Sequence, residues 1–218
     1  MPDLKNHPLV ADRLARLRSA SCPPRDFRNY LSDIARLLVL PATAHLATKE
    51  TKVVTPLTSM RGQELARQIV LVPILRAGLG FSEPFLQMLP EATVAHYGMK
   101  RNEESLQPEV YLERFPDHIA ESEVFVLDPM LATGGSAIAA IDGLKERGAT
   151  HLHFVCLVAS PEGIKALEES HPDVRITSAA VDEGLATHTS TKKEDYTKRM
   201  EFVKREEEII ADIKRNCD

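Results

Sequence analysis

From Ile69 to Leu75, from Val124 to Leu127 and from Leu152 to Ala159 the chain is almost unbroken in apolar side chains. Runs this short and uniform suit strands buried on both faces of a sheet. Lys52–Leu57, Thr93–Met99 and Val174–Val181 read as further strands, and between these segments Gly80–Met88, Ser136–Arg147 and Glu162–Glu169 read as helices. Strand and helix in alternation predict an α/β fold, with an open, mostly parallel sheet flanked by helices on both sides. Arg101–Pro108 is polar and turn-rich, which predicts a mobile loop rather than an element.

The two ends of the chain follow a different rhythm. Val10, Leu14 and Leu17 recur at helical spacing before a break at Cys22-Pro23-Pro24. Pro24 presets the backbone for a second helix, where Phe27, Tyr30, Leu31, Ile34 and Leu38 share one apolar face. Near the far end Thr191-Lys192-Lys193-Glu194 has the form of a capping box, in which Thr and Glu satisfy each other's backbone donors. Tyr196, Met200, Val203, Ile210 and Ile213 then line one face, and Glu194–Lys198, Asp195–Arg199 and Glu201–Arg205 are favourable pairs one turn apart. Each pair contributes only about 0.2–0.5 kcal/mol. The spacing predicts a C-terminal amphipathic helix over residues 191–215, whose apolar stripe needs a partner on its own domain or on a second subunit.

A length of 218 residues suits a single domain over residues 1–218. The net charge of −5 argues against nonspecific binding of nucleic acid. Three cysteines, Cys22, Cys156 and Cys217, without CxxC spacing, fit reduced thiols in a cytosol. The N-terminus lacks the apolar core of a secretory signal, and the longest apolar run, Ile69–Leu75, is too short to span a bilayer. A cytoplasmic protein with no membrane partner and no nucleic-acid partner is expected. The eight histidines form no ligand motif; His151 and His153 read as structural, and His188 as an exposed loop residue.

Chemistry concentrates where the run Val124–Leu127 meets Asp128-Pro129-Met130-Leu131-Ala132-Thr133-Gly134-Gly135-Ser136 and then a helix with Ile138, Ile141 and Leu144. Strand, small-residue turn and helix aim backbone N–H groups and a helix N-terminus at an anion. Glycines allow close approach to phosphate oxygens, and the Thr133 and Ser136 hydroxyls add donors. Asp128 would repel phosphate, but at a strand end it suits the vicinal hydroxyls of a ribose. Acid first and cradle second matches a ribose 5-phosphate along the loop. No lysine follows the glycines, so this is not a P-loop. A tight turn with a helix-capping Asp or Thr is the competing explanation.

Asp128 to Ser136 resembles the signature of uracil phosphoribosyltransferases, including Pro129 in place of the second acid usual in the wider phosphoribosyltransferase family. Val72-Pro73-Ile74-Leu75-Arg76-Ala77-Gly78-Leu79-Gly80 resembles that branch's pyrophosphate loop, and Lys100-Arg101-Asn102-Glu103-Glu104-Ser105 its mobile arginine loop. Asn6-His7-Pro8-Leu9-Val10, Ser160-Pro161-Glu162-Gly163-Ile164 and Ala179-Ala180-Val181-Asp182-Glu183 fit the same branch. The resemblance implies transfer of a phosphoribosyl group from phosphoribosyl pyrophosphate to uracil, giving UMP and pyrophosphate in pyrimidine salvage. Asp128, Arg76 and Arg101 would be the catalytic residues. Those three, with Pro129, Met130, Leu131, Ala132, Thr133, Gly134, Gly135 and Ser136, would bind the sugar diphosphate. Mg²⁺ would arrive mainly with the substrate, with no protein metal ligand assigned. Family members commonly self-associate and some respond to a purine nucleotide, so a homo-oligomer and a purine-nucleotide effector are implied.

The pattern is broken in one place. The family normally ends in a Tyr-Ile-Val-Pro-Gly-Leu-Gly-Asp-Ala-Gly-Asp segment that recognises uracil through backbone groups. Here Ala186-Thr187-His188-Thr189-Ser190-Thr191 and the charged tail stand instead, making 186–218 a divergent tail within the domain. A helix satisfies its own backbone groups and cannot present them to a base. No uracil-binding residue is therefore assigned. A phosphoribosyltransferase for another base, and a phosphoribosyl-pyrophosphate-binding regulatory protein without transfer, stay open beside uracil transfer.

Overall fold

A computed structural model of the chain describes Leu4, residues 6–101 and residues 108–182. Helices α1 (Pro8–Leu17) and α2 (Pro24–Thr43) open it, each starting on a proline, which has no amide hydrogen to leave unpaired. Val10, Leu14 and Leu17 of α1 and Phe27, Leu31, Ile34 and Leu38 of α2 are buried, as their spacing predicts. Strands β1 (Thr48–Val54) and β2 (Ser59–Leu65) follow as an antiparallel hairpin outside the main sheet. The strand expected over Lys52–Leu57 is corrected here. Thr55 Oγ1 accepts the amides of Leu57 and Thr58 and donates to the Thr58 carbonyl, so a hydroxyl-closed turn stops the strand at Val54.

The main sheet contains β3 (Ile69–Leu75), β4 (Thr93–Val94), β5 (His96–Arg101), β6 (Pro108–Arg114), β7 (Glu123–Leu127), β8 (Met130–Leu131), β9 (His151–Ala159) and β10 (Arg175–Val181). Helices α3 (Leu79–Met88), α4 (Gly135–Glu146) and α5 (Pro161–Ser170) connect them. The order is β10-β9-β7-β3-β5-β6, parallel throughout except for β5 against β6. The single strand expected over Thr93–Met99 divides at Ala95, whose amide bonds the Leu71 carbonyl as the chain shifts along β3. The loop expected over Arg101–Pro108 is narrower, because Arg101 and Pro108 pair across β5 and β6. Its interior, residues 102–107, lies outside the described residues, as does the helix expected over 191–215.

Strand residues alternate between two cores. Ile69, Leu71, Phe125, Leu127, Val155 and Leu157 pack with α1, α2 and α3, while Val70, Val72, Val124, Val126, Phe154 and Cys156 pack with α4 and α5. Burying a side chain such as Phe125 completely is worth about 1.5–3 kcal/mol over leaving it in water. Burial on both faces is why these strands read as continuous apolar runs. Because the strands from β10 to β5 are parallel, the chain leaves β3, β5 and β7 at one carboxyl edge, where open sheets of this type bind ligands. No helix among the described residues is long and apolar enough to cross a membrane.

Candidate ligand site at the carboxyl edge of the sheet

Strand β7 delivers Asp128 to that edge. The Asp128 amide bonds the Val155 carbonyl at 3.2 Å, and its half-buried carboxylate accepts the Met130 N–H. Burial pushes the carboxyl up to about 7, against the smaller opposing effect of the Met130 amide. Beneath it the Cys156 thiol is pushed up by burial and by the Asp128 charge, so it stays protonated. Pro129 and Leu131 are buried, and the short β8 fastens this part of the loop to β9 by pairing Met130 with Val158 and Leu131 with Ala159. The Pro129 carbonyl accepts the Leu157 and Val158 amides at 2.9 and 3.1 Å.

The exposed part of the loop is Thr133, Gly135 and Ser136. Gly134 has φ of +83°, a left-handed conformation that favours glycine, and it caps α4 with no side-chain hydrogen bond. The first helical bond runs from the Ile138 amide to the Gly134 carbonyl at 2.8 Å. The amides of Gly135, Ser136 and Ala137 thus lack intrahelical partners. A capping Asp or Thr would have explained the turn without a ligand, and neither caps it.

Arg76 leaves the end of β3, the neighbour of β7, through a cis Leu75–Arg76 peptide. The following turn is held by the Gly78 amide on the Ile74 carbonyl at 2.8 Å. A Cβ at Gly78 would lie 2.2 Å from the Leu127 carbonyl oxygen, so only glycine lets this loop lie against the strand end that carries Asp128. Arg76 is exposed and makes no ion pair with another described residue. Arg101 closes β5 on the other side of β3, three residues past the Leu75–Gly98 pairing. Asp128, Arg76 and Arg101 therefore come from neighbouring strands.

Two other residues of note lie elsewhere on the sheet: Asp182 at the same carboxyl edge, just past the end of β10 and two strands from β7, and His153 inside the packing. Asp182 pairs with Arg18 at 2.7 Å and ties the end of α1 to the end of β10. His153 is buried, shares a hydrogen bond with Thr177 at 2.8 Å, and is held down to about 3 by burial and by the nearby His45 and Arg175 charges. Glu183 and His188 lie outside the described residues. No group of three or more His, Cys, Asp or Glu side chains that could hold a metal ion occurs among the described residues. A diphosphate brings its own oxygen ligands for a hard cation. What sequence reasoning missed is the support behind the loop: Ser160 and Gly163 back Leu131 and Ala132, although their motif had been noticed without a role.

Residues 4–194 match the family model described as "Uracil phosphoribosyltransferase". A uracil phosphoribosyltransferase of Ligilactobacillus salivarius is 47% identical over 181 residues, covering 83% of this chain and 87% of the relative. One of Streptococcus pneumoniae is 47% identical over 184 residues, covering 84% and 88%. The solved structure of the AQ2163 protein from Aquifex aeolicus superposes with a TM-score of 0.79 at 36% identity, covering 85% of this chain and 88% of that one.

Proposed function

This chain belongs to the uracil phosphoribosyltransferase family, and from that membership we propose how its carboxyl edge transfers a phosphoribosyl group from phosphoribosyl pyrophosphate to uracil, giving UMP and pyrophosphate. The observation that carries the assignment of the site is the bare N-terminus of α4 standing one loop away from the half-buried Asp128. The amides of Gly135 to Ala137 and the Thr133 and Ser136 hydroxyls seat the 5-phosphate. The ionised Asp128 accepts from the two ribose hydroxyls. The base nitrogen attacks the anomeric carbon, the bond to pyrophosphate breaks with its electron pair on the leaving group, and the nitrogen loses its proton. Negative charge gathers on the pyrophosphate while the ribose takes on oxocarbenium character. Arg76 and Arg101, always charged and fork-shaped, stabilise the departing charge together with the Mg²⁺ that enters with the substrate. No side-chain nucleophile is needed.

We further propose a cytoplasmic homo-oligomer, with a purine nucleotide as effector. The hairpin of β1 and β2 supports self-association, because it exposes Val54 at 78% and Leu57 at 96% and pairs with no other described strand. The test of the activity is pyrophosphate release from magnesium phosphoribosyl pyrophosphate, with and without uracil. Uracil-dependent release is expected. The missing glycine-rich segment favours one other outcome, tight uptake of the sugar diphosphate with no turnover on any base, and that result would make the chain a binding protein.

A further inference from the structure

The corner where β9 turns into α5 touches the phosphate loop from behind. Ser160 donates its hydroxyl to the Ala132 carbonyl at 2.5 Å, and its backbone amide bonds the Leu131 carbonyl at 2.9 Å. The same hydroxyl oxygen caps α5 by accepting the Gly163 amide at 2.9 Å. Gly163 brings the helix close: a Cβ there would lie 2.4 Å from the Ala132 oxygen and 2.7 Å from the Leu131 oxygen. Gly134 rests on the same turn, with its Cβ position 3.3 Å from the Gly163 oxygen and 3.2 Å from the Ala166 methyl. Ser160 itself is only 6% exposed and sits behind the exposed rim of Thr133, Gly135 and Ser136.

A trans peptide is planar, with C=O and N–H pointing opposite ways. Drawing the Leu131 and Ala132 carbonyls back onto Ser160 therefore turns the Ala132 and Thr133 amides away from α5, toward the open side of the loop. We propose that Ser160 is a positioning residue for the sugar-phosphate seat: by holding two consecutive carbonyls it aims the Ala132 and Thr133 N–H groups at the 5-phosphate. The inference rests on the assignment of this loop to phosphoribosyl pyrophosphate and extends it to a residue that does not touch the ligand. It also gives the Ser160-Pro161-Glu162-Gly163 motif a purpose, with serine as the latch and glycine as the clearance.

Capping and positioning can be separated by substitution, because glycine caps a helix almost as well as serine while alanine does not. Ser160→Gly, Ser160→Ala and Ser160→Thr are compared in the full chain by urea unfolding, by calorimetry with magnesium phosphoribosyl pyrophosphate, and by uracil transfer. Ser160→Gly and Ser160→Ala should weaken binding of the sugar diphosphate equally, by about three- to tenfold, the loss of one ordinary hydrogen bond. Both lose the bond to the Ala132 carbonyl and should unfold earlier than the wild type, Ser160→Ala earlier than Ser160→Gly because it also loses the cap. The KM for the sugar diphosphate should rise in parallel while kcat at saturation changes little, and Ser160→Thr should restore affinity. Affinity unchanged in Ser160→Gly, or affinity that tracks stability across the series, overturns the inference alone. A wild-type chain that takes up no sugar diphosphate overturns the functional assignment and this inference with it.

Discussion

A carboxyl that titrates near neutrality at the end of a buried strand is expensive to keep, and the proposed grip on the ribose would give Asp128 a reason for the expense. The folded chain binds its proton more tightly than the unfolded chain does, since the carboxyl moves from an ordinary value of about 3.9 up to about 7. The resulting stability is complete below about pH 4 and is lost as pH rises through 7. Asp128→Asn removes that titration, so its advantage over the wild type should grow between pH 4 and pH 8. Three units set a ceiling of about 4 kcal/mol, and the partial solvent contact of the side chain reduces this to roughly 1–3 kcal/mol, measurable by urea unfolding at the two pH values. The same substitution should cost binding. The ionised acid accepts from both ribose hydroxyls more strongly than the protonated acid, which has given up charge and acceptor capacity, so wild-type affinity for the sugar diphosphate should tighten as pH rises to 7 and then level, and Asp128→Asn should lack that rise. A wild-type profile that matches the variant would remove Asp128 from the ribose. Arg101→Ala, by contrast, should lower kcat by about a hundredfold with affinity nearly intact, as expected for a group acting on developing charge; an equal loss in affinity would assign it to ground-state binding. Asp128 stands out in the sequence as a candidate because an acid ahead of a small-residue turn needs a reason. Ser160 does not, because its partner is the backbone carbonyl of Ala132, and a carbonyl has no letter in a sequence.

At the scale of elements, the loops of the site are shaped by glycines that do different things, and substitutions should separate them. Gly78→Ala puts a methyl 2.2 Å from the Leu127 carbonyl oxygen, so the Arg76 loop must leave the end of β7 and both stability and transfer should fall. Gly134→Ala strains a residue at φ +83° and should destabilise by about 1–2 kcal/mol. At Gly135 the nearest atom to a Cβ is Thr133 Oγ1 at 3.9 Å, so alanine there should leave unfolding in urea unchanged. It should still weaken binding of the sugar diphosphate, because the methyl stands on the exposed rim where phosphate oxygens approach. A Gly135→Ala chain of normal stability and normal affinity would move the phosphate off this helix start. Sequence periodicity found β3, β7 and β9 within a residue of their ends because both their faces are buried. It missed β2 and β6, where Met60, Val110 and Tyr111 are exposed and polar residues intervene, since a strand without a buried face leaves no apolar rhythm to read.

Across the whole molecule, the parallel sheet accounts for the proposed seat of the sugar diphosphate but not for the hairpin of β1 and β2. Two antiparallel strands on their own are marginal in water, yet this pair carries Val54, Leu57 and Met60 at 78%, 96% and 54% exposure. A hairpin that pairs only with itself among the described strands and offers apolar side chains fits against a second copy of the chain, where a two-fold axis would bury both hairpins at once. Burying the Val54 and Leu57 side chains would contribute about 1.5–3 kcal/mol each per protomer. Val54→Lys with Leu57→Asp should therefore turn the assembly into monomer in sedimentation velocity while circular dichroism and urea unfolding of the main sheet stay close to wild type. The carboxyl edge lies on strands outside the hairpin, so the monomer should still bind the sugar diphosphate. If the doubly substituted chain sediments as the wild type does, the hairpin is not the contact, and self-association must be sought on another surface.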